Sequence, residues 1–142
     1  MKAKQRKPLL DSLTQEEKVV LLPLLIRFFK EKTNENNQVT AKEIIQRFND
    51  KKQQIGFKCA FNNSRFMKLT NYIRAQKMLK LVSTHKGYYE SFSADDVEDC
   101  GHSLMSRIES IKAAANGMFD MAAEMRHEAS MIDTCPLGFT WD

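Results

Sequence analysis

Cysteine, proline and glycine are scarce in this 142-residue chain, which has 3 cysteines, 3 prolines and 5 glycines. Three widely spaced cysteines (Cys59, Cys100 and Cys135) do not make a disulfide framework, so we expect a protein of a reducing compartment, the cytoplasm. The longest apolar run, VVLLPLLI, contains a proline and is too short to cross a bilayer. We therefore expect a soluble protein with no membrane segment and no cleavable targeting segment.

Motifs that support catalysis or metal binding are also absent from the sequence. There is no glycine-rich phosphate loop and no nucleophile motif of recognisable spacing. His85, His102 and His127 lie far apart, and Cys100 with His102 is the one close Cys/His pair, whereas a structural zinc site needs four ligands. A half-buried cysteine and a solvated histidine account for that pair. We expect no enzymatic activity, no cofactor, no metal and no small-molecule substrate.

Charge is distributed unevenly along the chain. Residues 1–90 contain 19 Lys and Arg against 8 Asp and Glu, a net charge of +11, whereas residues 91–142 contain 3 against 10, a net charge of −7. Such a chain often presents its basic half to a polyanion. The alternative is that the two halves attract one another. The basic start, MKAKQRKP, either contacts phosphates or is an ordinary frayed terminus.

Two capping boxes indicate where the first helices begin. Thr14 with Glu17 opens a helix that extends to about residue 32, and Thr40 with Glu43 opens a shorter helix after a short strand. Pro23 lies inside the first helix and predicts a kink there. The connection NDKKQQIGFKCAF follows the second helix and contains a glycine that favours a turn.

A third amphipathic helix is predicted over residues 64–78, after three candidate N-cap residues, Asn62, Asn63 and Ser64. Its apolar stripe is Phe66, Leu69 and Ile73. The opposite face carries Ser64, Lys68, Asn71 and Ala75, flanked by Met67 and Arg74 on one side and Arg65 and Tyr72 on the other. LKLV and YYESF then predict two short strands joined by residues 83–87, a hairpin with a Lys-Gly turn.

The longest helical segment starts at Ser93, and apolar or small residues recur in it at alternating steps of four and three. They are Val97, Gly101, Leu104, Ile108, Ile111, Ala115, Met118, Ala122, Met125 and Ala129. This heptad seam is typical of a helix that packs along a partner helix. We expect a homodimer through Leu104, Ile108, Ile111, Ala115, Met118, Ala122 and Met125. The alternative is that the helix folds back on its own domain, and an antiparallel arrangement fits the same spacing. Asn116 and Gly117 predict a bend or break.

The predicted fold is mainly α with a small β-hairpin (α+β), a winged helix-turn-helix followed by a long C-terminal helix. We expect residues 1–12 to form a flexible basic arm, residues 13–92 the winged-helix domain, residues 93–132 a long C-terminal helical segment and residues 133–142 a tail. In this layout the third helix enters the major groove of double-stranded DNA and the wing lies along the backbone. The predicted DNA-binding residues are Ser64, Arg65, Lys68, Asn71, Tyr72, Arg74, His85 and Lys86. Of Tyr88 and Tyr89, one is expected to pack under the sheet and the other to offer its hydroxyl to phosphate.

The stretch NSRFMKLTNYIRAQKMLKLVSTHKGYYESFSADDVEDCGHSLMSRIESI also resembles small winged-helix proteins encoded by bacteriophages and prophages of intestinal bacteria. The matching residues are Ile73 and Arg74, residues 86–89, and residues 103–111. The resemblance implies a winged-helix fold and suggests a regulator of transcription or an accessory protein in phage or mobile-element DNA transactions. The competing interpretation is a non-catalytic protein-interaction module that uses a winged-helix scaffold and binds protein through the long helix.

Overall fold

The structure, a computed structural model, describes residues 13–133. Its elements in chain order are a π-helical turn (Glu17–Leu21), α1 (Leu22–Lys32), α2 (Ala41–Asp50), α3 (Lys52–Ile55), α4 (Asn63–Ala75), β1 (Leu81–Thr84), β2 (Gly87–Glu90) and α5 (Ala94–Asp133). The described chain falls into two units, the first ending at Cys100 and the second starting at Gly101.

The first helical segment begins at the predicted capping box. The Thr14 N–H donates to Glu17 Oε1 at 2.7 Å, and the Glu17 N–H donates to Thr14 Oγ1 at 3.2 Å. The next turn is π-helical, because the Leu22 N–H donates to the Glu17 carbonyl five residues back. Pro23 has no N–H to donate and lies in the first turn of α1. The sequence predicts a kink at Pro23, and the structure has a π-helical turn over Glu17–Leu21, directly before α1.

The second helix and the connection after it follow the sequence signals closely. The Glu43 N–H donates to Thr40 Oγ1 at 3.2 Å and caps α2. The long connection contains one short helix, α3, which ends at Gly56 with a φ of +93°. Of the three candidate N-cap residues for α4, Asn62 is the one that caps the helix, because its Oδ1 accepts the Arg65 N–H at 2.9 Å.

The core is built around the apolar stripe of α4. Phe66, Leu69 and Ile73 are all fully buried. They belong to one apolar cluster with side chains of α1 and α2, including Phe29 and Ile44. Burying a side chain of this size stabilises the fold by about 1.5–3 kcal/mol. The stripe therefore fixes the rotation of α4 and turns its opposite face to solvent.

The hairpin packs beside α4, and its strand β2 makes backbone hydrogen bonds on both of its edges. β1 and β2 are antiparallel, with Thr84 opposite Gly87, so the turn consists of two residues, His85 and Lys86. On the other edge of β2, Val39 and Tyr88 exchange two backbone hydrogen bonds of 3.2 and 2.8 Å. This isolated bridge lies where the sequence predicts a short strand before α2, and it includes only Val39 of that segment.

The last helix is capped by Ser93, whose hydroxyl accepts the Asp96 N–H at 3.3 Å. It continues for 40 residues and passes through Gly117 without a break. One glycine costs a helix interior only about 1 kcal/mol, and the alanines and methionines around it are good helix formers. The first turns of α5 bond to the hairpin through Asp96 and to α4 through Cys100.

The order of helices, bridge strand and hairpin is that of a winged helix-turn-helix, followed by a long C-terminal helix, as the sequence predicts. Among the helices of residues 13–133, none combines the length and the apolar character that a membrane span requires.

Candidate nucleic-acid interface

The solvent-facing row of α4 consists of Ser64, Lys68, Asn71 and Ala75, which recur at steps of four, three and four residues. Ser64, Asn71 and Ala75 are exposed, and the Lys68 side chain is 31 % exposed. Within the unit that ends at Cys100, the polar members of this row remain accessible to solvent. The row predicted for the groove-facing side of the helix is therefore on the surface.

Two of the predicted DNA-contacting cations are bound to a buried carboxylate. Glu17 is fully buried, and its Oε2 accepts from Arg65 Nε at 2.9 Å while its Oε1 accepts from Lys68 Nζ at 2.8 Å. Arg65 also donates to the carbonyl of Ala60. The Arg65 side chain is 24 % exposed, so both cations keep a solvent-facing part. Arg65, Lys68 and Glu17 together carry a net charge of +1, whereas the two cations alone would carry +2.

The electrostatics of Glu17 follow from these contacts. Burial by itself raises the pKa of a carboxyl group, and here it is the largest single influence. Hydrogen bonds from Lys68, from the Thr14 N–H and from Arg65 together outweigh it and lower the pKa of Glu17 from its ordinary 4.5 to about 2. Glu17 is therefore a carboxylate at neutral pH and holds α4 against the start of α1.

The neighbouring carboxylate, Glu16, holds the segment that leads into α4. Its two oxygens accept the backbone N–H groups of Lys58 at 3.1 Å and Cys59 at 2.8 Å. Hydrogen bonding with Cys59 is the main reason why the pKa of Glu16 is lowered. Burial, together with the neighbouring Glu16, raises the pKa of the Cys59 thiol. We refer to Glu16 and Glu17 with these partners as the carboxylate clasp.

Arg74, another predicted DNA contact, is directed into the protein. Its Nε donates to the Leu81 carbonyl at 2.9 Å, and its Nη2 donates to Ser83 Oγ at 3.1 Å and contacts Cys100 Sγ at 3.8 Å. Its guanidinium also lies 5.7 Å from the centre of the Tyr88 ring. These contacts join α4 to β1 and to the first turns of α5, so Arg74 positions the wing.

The wing tip is exposed, whereas Tyr88 is half-buried and Tyr89 is buried. His85 and Lys86 occupy the two turn positions and face solvent. The Tyr88 hydroxyl lies 3.6 Å from the sulfur of Met67, and Tyr89 is buried with its hydroxyl 3.5 Å from Asp96. Burial is the main reason why the pKa of Tyr89 is raised. The expectation that one of these hydroxyls faces phosphate is wrong, because both are directed at neighbouring side chains.

The predicted residues therefore fall into three groups. Ser64, Asn71, His85 and Lys86 are exposed, on α4 and at the wing tip. Arg65, Lys68 and the half-buried Tyr72 lie partly at the surface, and Arg74 lies beneath the wing. Sequence analysis identified Glu17 only as a helix cap, because its partners are 48 and 51 residues away and leave no local pattern.

The residues predicted to mediate dimerisation lie along one side of α5. Leu104, Ala115 and Ala122 are half-buried, whereas Ile108, Ile111, Met118 and Met125 are 53 to 68 % exposed. Phe119 beside this seam is 71 % exposed. An exposed apolar patch of this kind marks a candidate interaction surface.

Among residues 13–133 there is no cluster of three or more His, Cys, Asp or Glu side chains suited to a metal ion. No protein-family model, curated protein or solved structure matches this chain.

Proposed function

We propose that this protein binds double-stranded DNA without catalysing a reaction, with α4 in the major groove and the wing along the backbone. The observation that carries the proposal is the joint exposure of the α4 row and of the wing tip on a fold whose core fixes both. Asn71 suits bidentate pairing with adenine, and Ser64 is able to bond to several bases. Lys86 and His85 suit phosphate contacts, which position a protein without reading sequence.

The proposed role is that of a transcriptional regulator or a DNA-transaction accessory protein of a phage or mobile element, acting in the cytoplasm of its host. Its support is the fold together with the sequence resemblance described above. The carboxylate clasp limits the charge that α4 itself brings to the phosphates, since Glu17 neutralises one of its cations. Lys86 at the tip of the wing therefore supplies a larger share of the attraction to phosphate than it would if both α4 cations were unpaired.

The test is the salt dependence of binding to a short DNA duplex, measured by fluorescence anisotropy. Affinity should fall as salt rises, with a log–log slope of about −0.9 for each phosphate contact. Lys86→Ala should weaken binding and make the slope shallower by about one contact. Lys68 is a poor probe, because its replacement also removes a partner of buried Glu17.

Lys51→Ala is the matched control, since Lys51 is exposed and lies by α1 and α2, near Phe28 and Phe48. It should leave the slope unchanged. The proposal fails if duplex is not bound at low salt, or if both variants change the slope equally. Selection of bound fragments from a random DNA pool then identifies the preferred sequence, and Asn71→Ala should relax the preference at one position.

A further inference from the structure

The exposed side of α5 presents two parallel rows of different size. One row, the first position of each heptad, contains Gly101, Ile108, Ala115, Ala122 and Ala129. The other row, three residues further on in each heptad, contains Leu104, Ile111, Met118 and Met125. The first row is mostly small and the second is uniformly large. Because α5 is one continuous helix, the rows keep this spacing along its length.

We propose that α5 associates with α5 of a second copy of this chain in antiparallel orientation. In a parallel pair each row faces itself, so Ala115 meets Ala115 and Ala122 meets Ala122, and the interface alternates between gaps and crowding. In an antiparallel pair each row faces the other row. Small and large side chains then interdigitate, as dense packing requires.

One antiparallel register satisfies this rule at three of its four contacts. It places Leu104 beside Ala129 of the partner subunit, Ile111 beside Ala122 of the partner subunit, and Met118 beside Ala115 of the partner subunit. The fourth contact, Ile108 with Met125 of the partner subunit, joins two large flexible side chains. The two-fold axis repeats every contact, so each seam residue from Leu104 to Ala129 is covered.

The charges beside the seam favour the same orientation. In the antiparallel register, Arg107 lies near Glu128 of the partner subunit, and symmetry makes this attractive pair twice. In a parallel pair, Arg107 lies near Lys112 of the partner subunit, which makes two repulsive pairs. In a parallel pair, the acidic first turn of α5, which contains Asp95 and Asp96, would also lie beside the same turn of the partner subunit and be repelled by it. A second copy is thus complementary in both size and charge. The proposal does not rest on DNA binding.

Sedimentation equilibrium of the full chain, at low salt, tests both the association and its orientation. The wild-type chain should dimerise in the micromolar range. Arg107→Glu should weaken the dimer roughly tenfold, because it places two carboxylates together at two sites. Arg107→Glu combined with Glu128→Arg should restore the affinity to within about twofold of wild type.

The control is Ser106→Glu, which adds a carboxylate at an exposed position on the other side of the helix and should leave the affinity unchanged. In a parallel dimer Arg107→Glu would instead tighten association, by pairing with Lys112 of the partner subunit. Tighter association of Arg107→Glu would overturn the proposal. So would a wild-type chain that is still a monomer at about 100 µM, or a double variant that associates as weakly as Arg107→Glu. Circular dichroism checks that each variant is as helical as wild type.

Cross-linking gives a second measurement of orientation. Two chains, Ile108→Cys and Met125→Cys, are made in a background with Cys59→Ser, Cys100→Ser and Cys135→Ser, and one carries a size tag. Under mild oxidation the mixture should form a disulfide between the two different chains. Disulfides within each variant alone, with none between the two in the mixture, would show a parallel pair and overturn the inference.

Discussion

At the start of the first helix, Glu17 connects two parts of the chain that local sequence does not relate. It caps the helix through Thr14 and binds Arg65 and Lys68 of α4. A buried carboxylate is expensive unless it is paired, and here both oxygens have charged partners. Glu17 thereby fixes the N-terminal half of α4.

Replacing Glu17 with glutamine should lower the free energy of unfolding by about 3 kcal/mol at pH 7. The amide keeps the shape of the side chain but gives up its charge and leaves two cations with a poor acceptor. Urea denaturation followed by circular dichroism measures the loss. Glu31→Gln, which removes only the exposed pair with Arg27, should cost about 0.5 kcal/mol or less.

The pH dependence of stability gives an independent check on Glu17. The pKa of Glu17 is about 2 in the folded state, against an ordinary value of 4.5, so its stabilising effect is fully present above about pH 4.5. That effect is lost as pH falls towards 2. The stability gap between wild type and Glu17→Gln should therefore close between these two values. A gap that stays constant across this range would show that charge is not the cause.

At the residue level, the sequence predicted the helix N-caps and the buried apolar positions, but not the side-chain partners that come from distant parts of the chain. The hydroxyls of Thr14, Thr40 and Ser93 bond as predicted, because capping depends on residues only three positions apart. Arg74 and Arg65 look like free cations on a helical wheel. Their partners come from other elements, so periodicity gives no information about them.

At the level of elements, the hairpin depends on how closely its turn approaches the bridge strand. Gly87 has a φ of +136°, and a Cβ at this position would lie 2.5 Å from the carbonyl carbon of Val39. Only glycine accommodates both the dihedral angle and the contact. The turn glycine is therefore required by the bridge at Val39 as well as by the hairpin.

Gly87→Ala should destabilise the protein by about 2–4 kcal/mol, since it combines backbone strain with a clash against main-chain atoms. Thermal unfolding measures the loss, and hydrogen exchange at the Val39 and Tyr88 amides should show the bridge opening. The control is Gly56→Ala, where φ is +93° but no atom lies within 4 Å of a Cβ. It should cost only about 1 kcal/mol, and an equal loss at both positions would contradict the role of the contact.

The elements that the sequence predicted are those with strong periodicity or turn chemistry. α2, α4, the hairpin and the long helix fall close to their predicted positions. The short helix α3 and the π-helical turn were not predicted, because four or five residues are too few to show a period. The tail and the basic arm lie outside the described residues.

At the level of the whole molecule, the two proposals combine in a testable way. An antiparallel pair of α5 helices separates the two copies of Gly101 by about 46 Å along the axis, from 31 residues at about 1.5 Å each. A dimer with two DNA-binding surfaces gains affinity by binding through both at once. A short duplex has room for only one of the two DNA-binding surfaces.

Ile111→Asp, which places a carboxylate in the seam, should therefore lower the affinity for a duplex of about 40 base pairs by about tenfold or more. The affinity for a duplex of about 12 base pairs should be unchanged, because one winged-helix unit suffices there. Electrophoretic mobility shift assays with both duplexes make the comparison. Equal losses on the two duplexes would indicate that α5 acts on the DNA-binding surface itself rather than through association.

The carboxylate clasp has a consequence for the order in which the chain folds during synthesis. Glu16 and Glu17 leave the ribosome early, yet their partners follow 42 to 51 residues later. Closing a loop of that length costs more entropy than forming a helical turn, so these contacts form after the local helices. The first helix can thus form its own turns at once, but the clasp is complete only after residue 68 has been made.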